Sequence, residues 1–354
     1  MPPVSVDAQG EYPKDLSDVL PGIFSGCEPF QGEEEHFIVD PDAGYVAWNL
    51  VGASGVSGIA FSIDEHPMWV YAVDGRYVEP ALVHIVELVA GRRMSVLVKV
   101  DKPAKRYTVR TAVNGWNQLL NATAVMSYAN TLDDPNDRTD MPYMDIAGQS
   151  TTADVVTFDE RLSVPFPPVR PAQTPDQTYR LDIGRTNTSY SWKLGNNPYP
   201  VALENSSPLL YYPTMLNNGI GIISSNGTWI DLILNVATEF QPEHPIHKHS
   251  NMFHLIGYGQ GVWSYSSVAD ALDHIPGNFN LDNPPLFDTI GTLPSNNEAT
   301  WAVLRYQVVN PGAFIIHCHI QIHQTGGMLL ALLDGVDAWP EIPQEYELEG
   351  GQDS

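Results

Sequence analysis

Two short segments constrain this chain more than anything else in it: His244-Pro245-Ile246-His247-Lys248-His249, and His317-Cys318-His319 followed by His323 and Met328. In an extended strand successive side chains point to opposite faces, so His317 and His319 share one face while Cys318 takes the other. The same alternation pairs His247 with His249 and leaves His244 to join Cys318. A thiolate, two imidazoles and a distant thioether are the donors of a blue-copper electron-transfer centre, and His244, Cys318, His323 and Met328 supply them. A lone His-x-His pair is more often surface or packing chemistry than a ligand. Six of the eleven histidines concentrated in two segments, with a Cys and a Met beside them, point to metal. The fold must therefore bring two segments that are distant in sequence side by side.

Elsewhere, short apolar-alternating runs separated by Gly, Pro, Asn and Asp dominate, which predicts an all-β chain of sandwiches. Expected strands include Tyr45–Leu50, Met68–Val73, Met94–Val100 and Tyr107–Arg110, with turns at Asp74-Gly75 and Ala90-Gly91. Residues 1–130 contain no metal constellation, and His66 is expected to be a satisfied structural histidine. Residues 131–178 are rich in Pro and Asp (Asp133, Asp134, Pro135, Asp137, Asp140, then Pro165, Pro167, Pro168, Pro171 and Pro175), the composition of an extended linker. Strand patterns resume over 179–340, which holds both metal segments, and 341–354 reads as an acidic solvated tail.

A formal charge of −25 at pH 7 argues against nucleic acid and anionic membranes, both of which need basic patches. No apolar run is long enough to span a bilayer, and residues 1–30 show no signal peptide. Glycosylation acceptors at Asn121, Asn187, Asn205 and Asn226 favour a secretory route. Of the two cysteines, Cys318 is committed to metal, so no internal disulfide is expected, and Cys27 reads as a buried free thiol.

At these residues the chain resembles the multicopper oxidases, the laccase and ferroxidase family. That family's last domain carries His-Pro-x-His-x-His and His-Cys-His-Ile-x-x-His-x-x-x-Gly-Met, matched here by 244–249 and by 317–328 with Ile320, Gly327 and Met328 in register. Asn283-Pro284-Pro285, Asp288-Thr289 and Asn310-Pro311-Gly312 extend the similarity, and His247-Lys248-His249-Ser250-Asn251 with Gly326-Gly327-Met328 resembles the ascomycete, pigment-associated group. The resemblance implies two cupredoxin-like Greek-key β-sandwich domains, 1–130 corresponding to the family's copper-free middle domain. It implies a type 1 copper at His244, Cys318, His323 and Met328, with His247 a type 2 ligand and His249, His317 and His319 type 3 ligands. It further implies that Cys318 passes electrons to His317 and His319. The family's trinuclear centre needs four His-x-His pairs. This chain has two, so the expectation is that a first domain, or a partner chain, supplies the others and also the cysteine that pairs with Cys27.

The function the resemblance implies is one-electron oxidation of phenols, such as pigment precursors, coupled to reduction of O2 to water. Two alternatives stay open: a ferroxidase, with Glu239 and Glu243 receiving ferrous iron, and a copper or electron carrier without oxidase activity.

Overall fold

In strand Tyr45–Val51 exposure alternates residue by residue, and in Arg93–Lys99 the buried positions are Met94, Val96 and Val98. This period of two is what a sheet with one wet face requires. The computed structural model describes residues 32–114, 120–129, 138–186, 191–200, 202–203, 206–211, 219–236, 241–295 and 298–346. Cys27, Glu239, Asn187, Asn205, residues 131–137 and the tail beyond 346 lie outside them. The described residues are nearly all β.

The first half pairs two sheets. One runs in the order His36–Val39, Asn121–Tyr128, Arg106–Val113, Ile59–Ile63, Val86–Leu88; the other in the order Tyr45–Val51, Arg93–Lys99, Met68–Val73, Arg76–Val83. Residues such as Ile63, Met68, Val96 and Tyr107 fill the space between. The expected turn at Asp74-Gly75 joins Met68–Val73 to Arg76–Val83 with both residues at positive φ, 48° and 77°, as a tight hairpin demands. His66 is buried, its Nδ1 within 2.9 Å of the Asp64 carbonyl and its Nε2 within 2.9 Å of the Tyr128 hydroxyl. Both ring nitrogens are thus partnered by protein atoms, and burial lowers the pKa of His66.

The second half repeats the plan. Six strands are ordered Trp192–Leu194, Gln177–Arg185, Trp229–Val236, Thr300–Gln307, Phe253–Gln260, Leu286–Phe287; five are ordered Gly221–Ile223, Leu329–Asp334, Gly312–Cys318, Pro245–Lys248, Thr289–Gly291. In the five-stranded sheet Leu329–Asp334 is buried throughout, as a strand covered on both faces must be. Two short α-helices occur among the described residues, Val268–His274 and Gln321–Thr325.

Between the halves, the Pro- and Asp-rich stretch clings to the first sheets. Pro165 bridges to Val78 and Thr157 to Ile85, and Met144 is buried with Ala60, Ile85 and Ala112. Few apolar residues are needed for this, because the stretch borrows a core rather than building one. Strand Gln177–Arg185 begins just inside the predicted end of the linker, where Gln177 and Thr178 align with Ile230 and Asp231.

Candidate metal centre

Cross-strand register unites the two sequence segments. Strand Pro245–Lys248 lies antiparallel to Gly312–Cys318 with Ile246 opposite Cys318, His247 opposite His317 and Lys248 opposite Ile316. Directly opposed residues in an antiparallel pair have neighbouring Cβ atoms, so His247 and His317 converge on one face. Alternation turns Cys318 and Ile246 to the other, toward the core.

On the core side, Cys318 Sγ lies 3.8 Å from His244 Nδ1 and 3.7 Å from His323 Nδ1, and the two Nδ1 atoms are 3.2 Å apart. All three side chains are buried. His244 Nε2 is 3.1 Å from Gln241 Oε1. An amide oxygen only accepts, so Nε2 carries the proton and Nδ1 keeps its lone pair facing the thiol. Burial, helped by His323, pushes His244 down to about 3; burial also pushes His323 down to about 4. Both imidazoles are therefore neutral donors. Burial pushes the Cys318 thiol up to about 12, so a thiolate here needs a cation at coordination distance. Two neutral imidazoles and one sulfur converging in a dry site fit copper of the blue type.

Met328 is fully buried, and its backbone closes the site: Cys318 N–H donates to the Met328 carbonyl at 3.0 Å, and Met328 N–H to the His323 carbonyl at 2.9 Å. Gly327 permits that turn. Its φ is +104°, and a Cβ would sit 2.9 Å from Pro198 Cβ and 3.0 Å from the Trp192 carbonyl oxygen.

On the other face His247, His249 and His317 bring one ligand atom each within 4.8 Å of one another, and His249 Nε2 is 3.2 Å from His317 Nε2. His319 stands slightly apart, its ring 5.6 Å from that of His317 and 6.1 Å from that of His247. Its position is set from the first half of the chain: a Cβ on Gly91 would come within 2.5 Å of His319 Cδ2. His247 Nδ1 contacts the Asp288 carbonyl and Thr289 Oγ1, both at 3.0 Å, and His317 Nδ1 donates to the Cys318 carbonyl at 3.0 Å. Each contact fixes a tautomer that leaves Nε2 free for metal. Burial pushes His317 down to about 4. An open groove of about 720 Å³ runs past His247, His249 and His319, bounded by Val51, Arg93 and Phe314.

Two features here were not singled out in the sequence. Arg93 grips the Asp288 carboxylate at 2.7 and 2.5 Å, and Asp74 Oδ2 accepts the backbone N–H groups of Asp288 and Thr289 at 3.3 and 3.1 Å. Burial opposes ionisation of Asp288, but Arg93, His247 and Thr289 outweigh it and hold its carboxyl below the usual range. The second is Trp192, whose ring lies 3.8 Å from that of His323. A tryptophan in an apolar-alternating run carries no signal of such a position.

Glu243, the described member of the two candidate substrate carboxylates, turns away from Cys318. It lines a cavity of about 420 Å³ with Glu87, Asn114, Glu160, Arg161 and Thr292. Burial, reinforced by Glu160 and Glu87, pushes its carboxyl up to about 8. Thr292 links this cavity to the buried centre, its Oγ1 accepting the His244 N–H at 2.9 Å and its own N–H donating to the His244 carbonyl at 3.0 Å.

Paired β-sandwiches with a Cys-His-His site at one strand end define a copper protein of cupredoxin type. Two family models, each described as multicopper oxidase, match residues 23–131 and 177–338. Laccase abr2 of Aspergillus fumigatus is 38% identical over 349 residues, covering 97% of this chain and 58% of that protein; multicopper oxidase GIP1 of Gibberella zeae is 40% identical over 331 residues, covering 91% and 48%. Among solved structures, the laccase from Botrytis aclada aligns with a TM-score of 0.67 at 20% identity, over 92% of this chain and 57% of that one. Fet3p, described as a multicopper oxidase that functions in iron import, aligns at 0.63 and 20%, over 85% and 57%. The chain belongs to the multicopper oxidase family, and copper is its metal. It spans about half the length of these relatives.

Proposed function

We propose that this chain is the copper-bearing part of a laccase-like oxidase, which withdraws single electrons from phenolic small molecules and passes them to dioxygen. The observation that carries the proposal is the junction at Cys318. Its side chain belongs to the buried centre, while of its peptide neighbours His317 belongs to the histidine cluster on the opposite face and His319 stands beside that cluster, and His317 Nδ1 also bonds the Cys318 carbonyl. In this reading His244, Cys318, His323 and Met328 hold type 1 copper, His247 serves type 2 copper, and His249, His317 and His319 serve type 3 copper. The two sheet pairs are two cupredoxin-like domains, joined by the Pro- and Asp-rich stretch.

Bound copper supplies one-electron redox chemistry, and in a complete trinuclear centre the reduction of dioxygen to water. The chain's own residues orient and insulate. Gln241 fixes the His244 tautomer, Thr292 holds its backbone, and the buried shell excludes water. The groove beside His247, His249 and His319 is where two further His-x-His pairs, from a first domain or a partner chain, complete the cluster. The cavity bearing Glu87, Glu160 and Glu243 is the docking candidate for a phenol. Its carboxyl groups also favour one second reading, oxidation of ferrous ion. We infer a secretory route, with glycans at Asn121 and Asn226, both of which are exposed.

The test is spectroscopic. Loaded with copper(II), the wild-type chain should show an intense visible thiolate-to-copper band that Cys318→Ser abolishes, since the charge-transfer donor is gone while the imidazoles remain. A colourless wild type that prefers zinc would sink the type 1 reading.

A further inference from the structure

Among the described residues, Trp192 is the aromatic side chain most closely applied to the buried Cys-His-His site. Its ring stacks on His323 at 3.8 Å with the planes 30° apart, and meets His244 edge-on at 5.6 Å. The indole is 8% exposed and the imidazole 5%. Its placement is over-determined. Strand pairing sets Trp192 opposite Arg185, whose guanidinium lies 5.5 Å over the indole, and Trp192 N–H donates to the Gly326 carbonyl at 2.9 Å. Gly327, which any side chain would drive into the Trp192 carbonyl, holds the same segment from the other side. Nothing in the pairing of a three-residue strand requires an indole over a histidine. A smaller apolar residue such as Leu would keep the strand and leave the imidazole face without a stacking partner, at the cost of a cavity.

The physical consequence concerns charge. Copper(II) carries one more positive charge than copper(I), and a dry, apolar shell disfavours the more highly charged state. An indole face covering the imidazole keeps water from one side of the ligand, and an aromatic pair of this geometry resists tilting. We propose that Trp192 is a positioning residue for the type 1 site: by stacking on His323 it holds the ligand ring and raises the reduction potential of the copper. The inference rests on the reading of His323 as a copper ligand.

The test uses the full chain reconstituted with copper(II), as wild type, Trp192→Leu and Trp192→Phe, titrated against ferricyanide/ferrocyanide while the blue band is followed. Trp192→Leu should stay blue but shift the copper(II):copper(I) ratio at a fixed poise about tenfold toward copper(II), a potential lower by about 59 mV for one electron. Trp192→Phe, with a smaller ring in the same place, should fall between. If Trp192→Leu does not load copper, Trp192→Phe alone decides, and a potential equal to wild type overturns the inference. A blue Trp192→Leu at the wild-type potential overturns it too, leaving the copper site standing. A colourless wild type removes the site and the inference together.

Discussion

Lys248 sits between two candidate copper ligands in sequence and behind them in space, with a side chain that is 0% exposed. Its ammonium donates to the Asn251 carbonyl at 3.0 Å and the His249 carbonyl at 3.3 Å, lies 3.5 Å from Asp334 Oδ2, and stands 4.0 Å over the Tyr306 ring. Asp334, also 0% exposed, accepts from Asn251 Nδ2 at 2.8 Å, from the Tyr306 hydroxyl at 3.3 Å and from Ser224 Oγ at 3.4 Å. Lys248→Met keeps the stem volume and removes the charge, so Asp334 stays buried with neutral donors but no counter-ion. Breaking a buried pair from one side costs about 3–5 kcal/mol. The three surviving hydrogen bonds place this site near the lower end, about 3 kcal/mol, with a similar loss for Asp334→Asn. The double variant leaves no uncompensated charge, so its loss should be about 3–4 kcal/mol, well below the additive total, a coupling of about 2–3 kcal/mol. Urea unfolding of the four metal-free proteins at pH 7 measures this directly. Additive losses would refute the pairing, and single losses under about 1 kcal/mol would show that water reaches the site.

Two further outcomes follow from the same geometry. Met328→Leu should keep the blue colour and raise the copper potential, because losing even a weak thioether donor disfavours copper(II); an unchanged potential would mean that Met328 only packs. His254 is 3% exposed and burial pushes it down to about 4, against about 6.5 unfolded. A depressed histidine pKa means that the unfolded chain takes the proton first. Its contribution is therefore intact above pH 6.5 and lost as pH falls toward 4, by about 3 kcal/mol. Unfolding midpoints of His254→Gln between those pH values should fall less steeply than wild type, and equal slopes would exclude His254 as the titrating group.

The sandwich class and the clustering of the candidate donors were legible because each rests on local patterns. Period-two burial marks Tyr45–Val51 and Arg93–Lys99, and the His, Cys and Met donors are nearly contiguous. What the sequence could not reveal lies in the pairing of distant elements. Asp74 reads as a turn residue, yet it also accepts the backbone N–H groups of the Asp288-Thr289 segment. Lys248 stands between histidines with no local signal of burial, and only the strand Leu329–Asp334 with Tyr306 turns its environment into a core. Glu243 is next to His244 in sequence, yet its side chain lines a cavity whose other carboxylates, Glu87 and Glu160, come from the first half of the chain and the stretch that follows it.

The first sheet pair carries none of the proposed copper donors, yet two of its turns, the hairpin at Asp74-Gly75 and the crossing between sheets at Gly91, decide where donors in the second half stand. Gly91 allows its turn to approach His319 more closely than any side chain would permit. Asp74 and Arg93, joined to each other at 3.3 Å, clamp the loop whose Asp288 carbonyl and Thr289 hydroxyl set the His247 ring. Ligand rings held by a second layer of hydrogen bonds bind metal with less reorganisation, and here that layer crosses from one half of the chain to the other. The first half therefore acts on the histidine cluster through the Arg93–Asp288–His247 chain of contacts as well as through Gly91. Substitution of Arg93 would reach His247 by way of Asp288 without altering a single proposed ligand.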